Sequence, residues 1–267
     1  MNEYVSRLRV LADGLQCVVN YSGGVCSFMA AKRAVERFGS QSVTLLFCDT
    51  GEEDADLYRF LRQSAAFLGC ELIELRRLGG MDALIDEHCA IPSPRMAFCT
   101  RELKIELADK WMAENATSDT IRVYGMDWTE INRVEGLKER LGDCVWCPMT
   151  EKPYLSKAQM IEDIRSVGLT PSRAYAEGFQ HDNCGGGCVK AGLAAWAHTL
   201  RMRPEVYAKW EERETRVSEQ RGKPCSILRD RRSGTTKPLL LSEYRKRLEQ
   251  GVPFDKHDWG GCGCFVG

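Results

Sequence analysis

A short apolar run, Cys17-Val18-Val19-Asn20, leads through Tyr21-Ser22-Gly23-Gly24-Val25-Cys26-Ser27 into residues 28–38, where apolar side chains recur at helical spacing. This passage predicts a buried strand that turns through two glycines into a helix. Such a turn points a row of unpaired backbone N–H groups at one place. The positive end of the helix dipole lies at the same place. Gly23 and Gly24 let the backbone come close to an anion, and Ser22 and Ser27 add hydroxyl donors. The loop is therefore suited to a phosphate or pyrophosphate. An ordinary strand-to-helix turn with a serine cap has the same outline, so the rest of the chain has to decide between them.

The pattern continues as alternating strands and helices. Residues 43–48 read as a second buried strand ended by Asp49-Thr50-Gly51, residues 54–68 as an amphipathic helix, and residues 71–75 as a third strand. Another helix is expected over 100–115 and a fourth strand over 120–125. Strands separated by helices predict an α/β, Rossmann-like fold: a mostly parallel sheet with helices on both faces. In such sheets ligands bind at the carboxyl ends of the strands. The segments 22–27, 49–51 and 125–127 all fall at strand ends. Beyond about residue 150 helical segments dominate (156–167, 189–203, 204–221), with glycine–cysteine clusters among them. Residues 1–150 are thus expected to form a nucleotide-binding α/β domain, and residues 151–267 a helical extension packed on it.

A net charge of −1 excludes a strongly basic nucleic-acid binder. No apolar run approaches a membrane span, and Met1-Asn2-Glu3-Tyr4 lacks the apolar core of a leader. A cytoplasmic protein without a membrane partner is expected. The thirteen cysteines are odd in number and lack a leader, which argues against a disulfide framework. Cys17, Cys48, Cys70 and Cys89 stand singly and read as small buried hydrophobes. Cys144-Val145-Trp146-Cys147 has metal-like spacing but lies in an expected fifth strand, and reads as structural. Arg229, Arg231, Arg232 and Lys237 form a basic stretch, either a solvated loop or a contact to a phosphate backbone or partner.

Two further segments stand apart. Asn183-Cys184-Gly185-Gly186-Gly187-Cys188 and Gly261-Cys262-Gly263-Cys264 together supply four thiols, with glycines that permit sharp backbone curvature. Four thiolates suit either a tetrahedral zinc or an iron–sulfur cluster. The expected ligands are Cys184, Cys188, Cys262 and Cys264.

Ser-Gly-Gly-x-x-Ser at 22–27 resembles the PP-loop of N-type ATP pyrophosphatases and sulfonucleotide reductases; no Walker Gly-x4-Gly-Lys-Ser/Thr occurs in the chain. Cys99-Thr100-Arg101-Glu102-Leu103-Lys104 resembles the Cys-Thr-x-x-Leu-Lys segment of the same superfamily. Thr100 is expected to cap a helix whose first turn presents Arg101 and Lys104 to an anion. Gly125-Met126-Asp127-Trp128-Thr129-Glu130-Ile131-Asn132-Arg133 resembles the block after the family's fourth strand. There Arg133, with Arg140 as second choice, is expected to meet the nucleotide's phosphates. Asp127 and Glu130 are expected to help hold Mg²⁺. With its cysteine–glycine segments, the chain resembles the phosphoadenosine-phosphosulfate-reductase-like branch found in phage genomes and type IV-B CRISPR loci. That resemblance implies a HUP-type fold, and favours [4Fe–4S] over Zn²⁺ for the cysteine site.

What it implies for function is a PP-loop adenine nucleotide α-hydrolase, cleaving ATP to AMP and pyrophosphate, with adenylation or thiolation of an acceptor as the further step. Ser22, Gly23, Gly24, Val25 and Ser27 would cradle pyrophosphate. Lys104 and Arg133 would neutralise charge in the transition state. Gly125 and Asp127 would line the site, with Asp49 and Thr50 near the ribose or metal. The chain lacks the Glu-Cys-Gly-Leu/Ile-His tail and the tandem Cys-Cys pairs of sulfonucleotide reductases, so reduction is the alternative. A second alternative is a non-catalytic nucleotide-binding accessory docked on a protein or nucleoprotein complex. Cys26 stands where related proteins often carry aspartate; a thiol at a helix N-terminus is either acidified or simply packed.

Overall fold

The computed structural model describes residues 16–232 and 234–261. β1 (Cys17–Asn20) is buried along its whole length. It lies between two parallel partners, β2 (Val43–Asp49) and β4 (Ile121–Tyr124), with Cys17 opposite both Val43 and Ile121. β3 (Glu71–Arg76) and β5 (Val145–Trp146) form the edges, giving the order β3-β2-β1-β4-β5. The chain steps outward from β1 to β3 on one side, then returns to lay β4 and β5 on the other. The strand order therefore reverses between β1 and β4, where open α/β sheets leave a crevice at the strands' carboxyl ends.

Strand side chains alternate between faces, and both faces are covered, as expected of a parallel sheet. On one side Val19, Leu45 and Val123 share a core with Phe28 of α1 (Val25–Phe38), Phe60 of α2 (Ala55–Leu68) and Met160 of α6 (Lys157–Ser166). On the other, Val18, Leu46 and Cys48 meet Ala108 and Met112. These belong to α4, which runs through Phe98–Thr100, a π-helical stretch Arg101–Ile105, and Glu106–Asn115. α5 (Ile131–Leu141) seats Val134 and Leu137 against Tyr124 and Val145.

A second core joins the two halves of the chain. Met81 and Leu84 of α3 (Gly80–His88) and Leu103 of α4 pack with Trp196 of α8 (Leu193–Met202) and Tyr207 and Trp210 of α9 (Pro204–Arg221). Those three aromatic side chains are fully buried, each contributing on the order of 1.5–3 kcal/mol by area removed from water. Between α6 and α8 lies the short α7 (Arg173–Ala176). An antiparallel hairpin, β6 (Leu228–Asp230) with β7 (Lys237–Leu239), and α10 (Leu241–Glu249) complete the extension. Among the described residues, no helix is long and apolar enough to cross a membrane.

Several local expectations change. Thr100 is not a cap: it is buried inside α4 with helical dihedrals, because the helix already starts at Phe98. α8 begins at Leu193 rather than 189, its first amides capped from a distance: Leu193 N–H donates to Asp258 Oδ2 (3.0 Å) and Ala194 N–H to the Asp258 carbonyl (2.8 Å). Cys89 is exposed, not buried; it terminates α3 in the left-handed region. The basic stretch is only partly a loop: Arg229 and Lys237 sit in the paired strands of the hairpin, while Arg231 and Arg232 lie in the turn between them.

Candidate nucleotide site and thiol loop

At the carboxyl ends of β1 and β4 lies a cavity of about 600 Å³. Ser22, Gly24, Val25 and Ser27 of the loop line it, together with Lys104, Gly125, Asp127 and Arg133. Residues far apart in sequence thus meet at the crevice that the strand order creates. Gly23 lies beneath the loop with φ +74°, and a Cβ there would stand 2.7 Å from Leu57 Cδ1 of α2. Ser27 is buried, its hydroxyl donating to the Gly24 carbonyl (2.8 Å) and accepting from Ser22 Oγ (3.2 Å). These bonds fold the loop back on the first turn of α1, whose amides have no intrahelical acceptors. One of them is already engaged: Val25 N–H donates to the Tyr175 hydroxyl of α7 (3.1 Å).

β4 reaches the loop through a contact that only glycine permits. A Cβ on Gly125 would fall 2.6 Å from Ser27 Cα and 2.7 Å from Ser27 N, so the two backbones touch directly.

The cations behave differently from one another. Lys104 is only 7% exposed and lies 3.9 Å from Glu53 Oε1. Arg133 lines the cavity while paired with Glu130. Arg101, expected beside Lys104, is turned outward to Glu102 (2.7 Å) and Glu106 (3.3 Å) and does not line the cavity. The π-helical turn that carries both residues changes the angular step between them. Arg140 pairs with Asp109 (3.4 Å), also outside the cavity. Asp49 accepts from Gly51 N–H (2.8 Å) and the Tyr58 hydroxyl (2.7 Å), and Thr50 donates to Glu53 Oε1 (3.0 Å). Both are buried at the end of β2 without lining this cavity.

Asp127 and Glu130 bring carboxylates to the cavity wall. Asp127 Oδ1 accepts from Thr129 N–H (2.8 Å) and Oγ1 (2.5 Å), which fixes the side chain. The Cys26 thiol stands 3.8 Å from Asp127 Oδ2, and burial, with that carboxylate, pushes its pKa up to about 11. It is a packed thiol, not an acidified one. Burial likewise pushes Cys147 up to about 12, and Cys144 donates to the Leu141 carbonyl (3.1 Å). That pair serves the fold.

Residues the sequence did not single out also line the cavity, among them Tyr175, Lys157 and Asp182. Asp182 is 4% exposed, with neither carboxylate oxygen hydrogen-bonded, and burial pushes its pKa up to about 6. Its only sequence signal was a place just before the Cys184 cluster. A buried carboxylate is costly, and this one lines the cavity.

The thiol loop lies next door. Cys184 and Cys188 share a small cavity with Cys99, Thr50 and Lys104. Cys184 holds a left-handed backbone (φ 49°), and its thiol is pushed well up by the Cys188 sulfur and by burial. Glu53 joins the two sites, since its Oε2 accepts the Cys184 N–H (2.7 Å) and its Oε1 faces Lys104. Cys262 and Cys264 lie outside the described residues. Among the described residues, no group of three or more metal-ligating side chains is close enough to hold a metal ion. The chain nonetheless returns to this loop just before Cys262. Gly260 bridges to Ala191, Gly261 N–H donates to the Lys190 carbonyl (3.3 Å), and Gly261 lines a small cavity with Cys188.

No protein-family model matches the chain, and no curated protein is significantly similar to it.

Proposed function

We propose that the protein is a PP-loop adenine nucleotide α-hydrolase of the phosphoadenosine-phosphosulfate-reductase-like type, which binds ATP with Mg²⁺ and releases AMP and pyrophosphate. The observation that carries this reading is the convergence of the 22–27 loop, Lys104 and Arg133 on one cavity at the reversal of strand order. A helix N-terminus, a buried ammonium and a guanidinium around one space form a site for a polyanion. Fixed charges of this kind stabilise the negative charge that builds on the leaving pyrophosphate. The first-turn amides of α1, with Ser22, hold the leaving group. Lys104, placed beside Glu53, approaches the bond that breaks, and Arg133 covers the outer phosphates. Asp127 and Glu130 suit Mg²⁺, a hard cation that takes one or two carboxylates and keeps several waters.

The [4Fe–4S] cluster, or Zn²⁺, is part of the same proposal. Cys184 and Cys188 fit as two soft donors, and Cys262 with Cys264 would complete the set. Bound there, the group would supply either redox chemistry or a rigid cross-link between the loop and the tail.

The test is incubation of anaerobically purified protein with Mg²⁺ and ATP, with products resolved by chromatography. AMP and pyrophosphate in equal amounts, lost in Ser27→Ala and in Lys104→Ala, are expected. Unchanged ATP across added carboxylate, amine and thiol acceptors rejects the reading. Sulfite release from phosphoadenosine phosphosulfate would instead favour the reductase alternative.

A further inference from the structure

A second cleft, larger than the cavity at the 22–27 loop, lies away from that loop. About 820 Å³ in volume, it opens between the β6–β7 hairpin, the 93–95 turn and residues 252–261. That volume suits a small organic ligand. Its floor is apolar, built from Leu228, Leu239, Val252, Phe254 and the ring of Tyr244. The Tyr244 hydroxyl is turned away to the Leu193 carbonyl (2.9 Å), and its ring meets Phe254 edge to face at 6.1 Å.

Among the described residues the rim carries an excess of positive charge. Six cationic side chains line the cleft against three carboxylates. Each carboxylate is already engaged. Asp230 holds Arg232 (3.1 Å) and Arg247 (2.7 Å). Asp258 caps α8 through Leu193 N–H, and Asp255 accepts the His257 N–H (2.8 Å). The guanidinium groups of Arg95, Arg229 and Arg231 have no hydrogen-bond or ion-pair partner among the described residues, and they approach from two separate elements. Arg95 sits in a turn closed by mutual backbone bonds between Ser93 and Met96 (3.3 and 3.0 Å). Three guanidinium groups left open around an apolar floor form a receptor for an anionic head on an apolar body.

We propose that this cleft binds an organic anion, a phosphate monoester or carboxylate carried on an apolar, ring-sized body, at a site separate from the nucleotide cavity. Arg229 and Arg231 grip the head from the hairpin, Arg95 closes on it from the facing turn, and Phe254 and Tyr244 carry the body. The proposal does not depend on the nucleotide reading, because none of these residues lines the nucleotide cavity.

The test uses the intact protein without ATP and three probes followed by calorimetry: 1-naphthyl phosphate, 2-naphthoate and the neutral 1-naphthol. One of the anions is expected to bind at one per chain, with 1-naphthol at least tenfold weaker. A tighter phosphate identifies a phosphate ester as the natural head; a tighter naphthoate identifies a carboxylate. Arg229→Ala with Arg231→Ala should weaken the anion at least tenfold while the melting temperature stays within 2–3 °C, about the shift of a small surface change. Arg95→Ala, on a separate element, should weaken it as well, so local damage to the hairpin cannot mimic the result. The proposal is overturned if neither anion binds, if binding survives both variants, or if excess Mg·ATP displaces the probe in simple competition.

Discussion

Gly125 offers the sharpest test of how the site is assembled. An added Cβ would lie 2.6 Å from Ser27 Cα, 2.7 Å from Ser27 N and 2.9 Å from the Cys26 carbonyl carbon. All three are backbone atoms, so no side-chain rotation relieves the clash. Carbon atoms pack at about 3.5–4.0 Å, and Gly125→Ala must therefore push the loop and β4 apart by roughly 1 Å. The φ of Gly125 is not positive, so alanine is tolerated conformationally and the effect is steric alone. Overpacking of this kind costs about 1–3 kcal/mol, and a 1 Å displacement at a reacting centre costs about 100-fold in rate. Urea unfolding and ATP turnover or affinity, measured on the same preparation, should show both losses. Gly136→Ala is the matched control: it lies in α5 with nothing within 4 Å of the new Cβ, and should gain about 1 kcal/mol from helix propensity. Wild-type stability and nucleotide affinity in Gly125→Ala would refute the argument that this contact sets the loop.

Other consequences are open to direct measurement. Lys104→Ala should lower ATP turnover by about 100- to 1,000-fold, whereas Arg101→Ala should stay within about threefold, in line with an exposed ion pair; equal losses would put Arg101 back at the phosphates. Glu214 is buried, and desolvation raises its pKa to about 8 although Ile227 and Leu241 N–H groups donate to it. Since the native state then binds the proton more tightly than the unfolded state, this group's contribution is complete below pH ~4.5 and is lost as pH rises through about 8. Glu214→Gln should flatten that decline in urea midpoints, and an unchanged slope would assign it to another group. Cys184→Ser or Cys188→Ser should remove most iron or zinc from anaerobically purified protein, by elemental analysis; full retention of metal would reject the shared site.

The parts of the fold legible in the sequence are those whose cause is local. The buried strand at 17–20, the double-glycine turn and the amphipathic helix after it are adjacent in the chain, and β1, the loop and α1 form accordingly. The meeting of Ser27 and Gly125 followed because parallel sheets gather strand ends at one edge. What was not legible depends on distant partners. Tyr175 reaches Val25 from across the fold, and nothing in residues 173–176 marks it. Arg101 and Lys104 look alike in sequence, yet a π-helical turn sends them to different surroundings. Asp182 reads as a polar loop residue until the fold buries it.

The capping of α8 also has a consequence in time. The carboxylate and carbonyl that complete this helix come from Asp258, 65 residues after the first amide they satisfy. At about 5–20 residues per second, synthesis delivers Asp258 roughly 3–13 s after Leu193. Until then α8 has no acceptor for its leading amides, and Gly192 lacks the surface against which it is closely packed. The order of synthesis thus makes the thiol loop, which immediately precedes this helix, among the last parts of the molecule to settle.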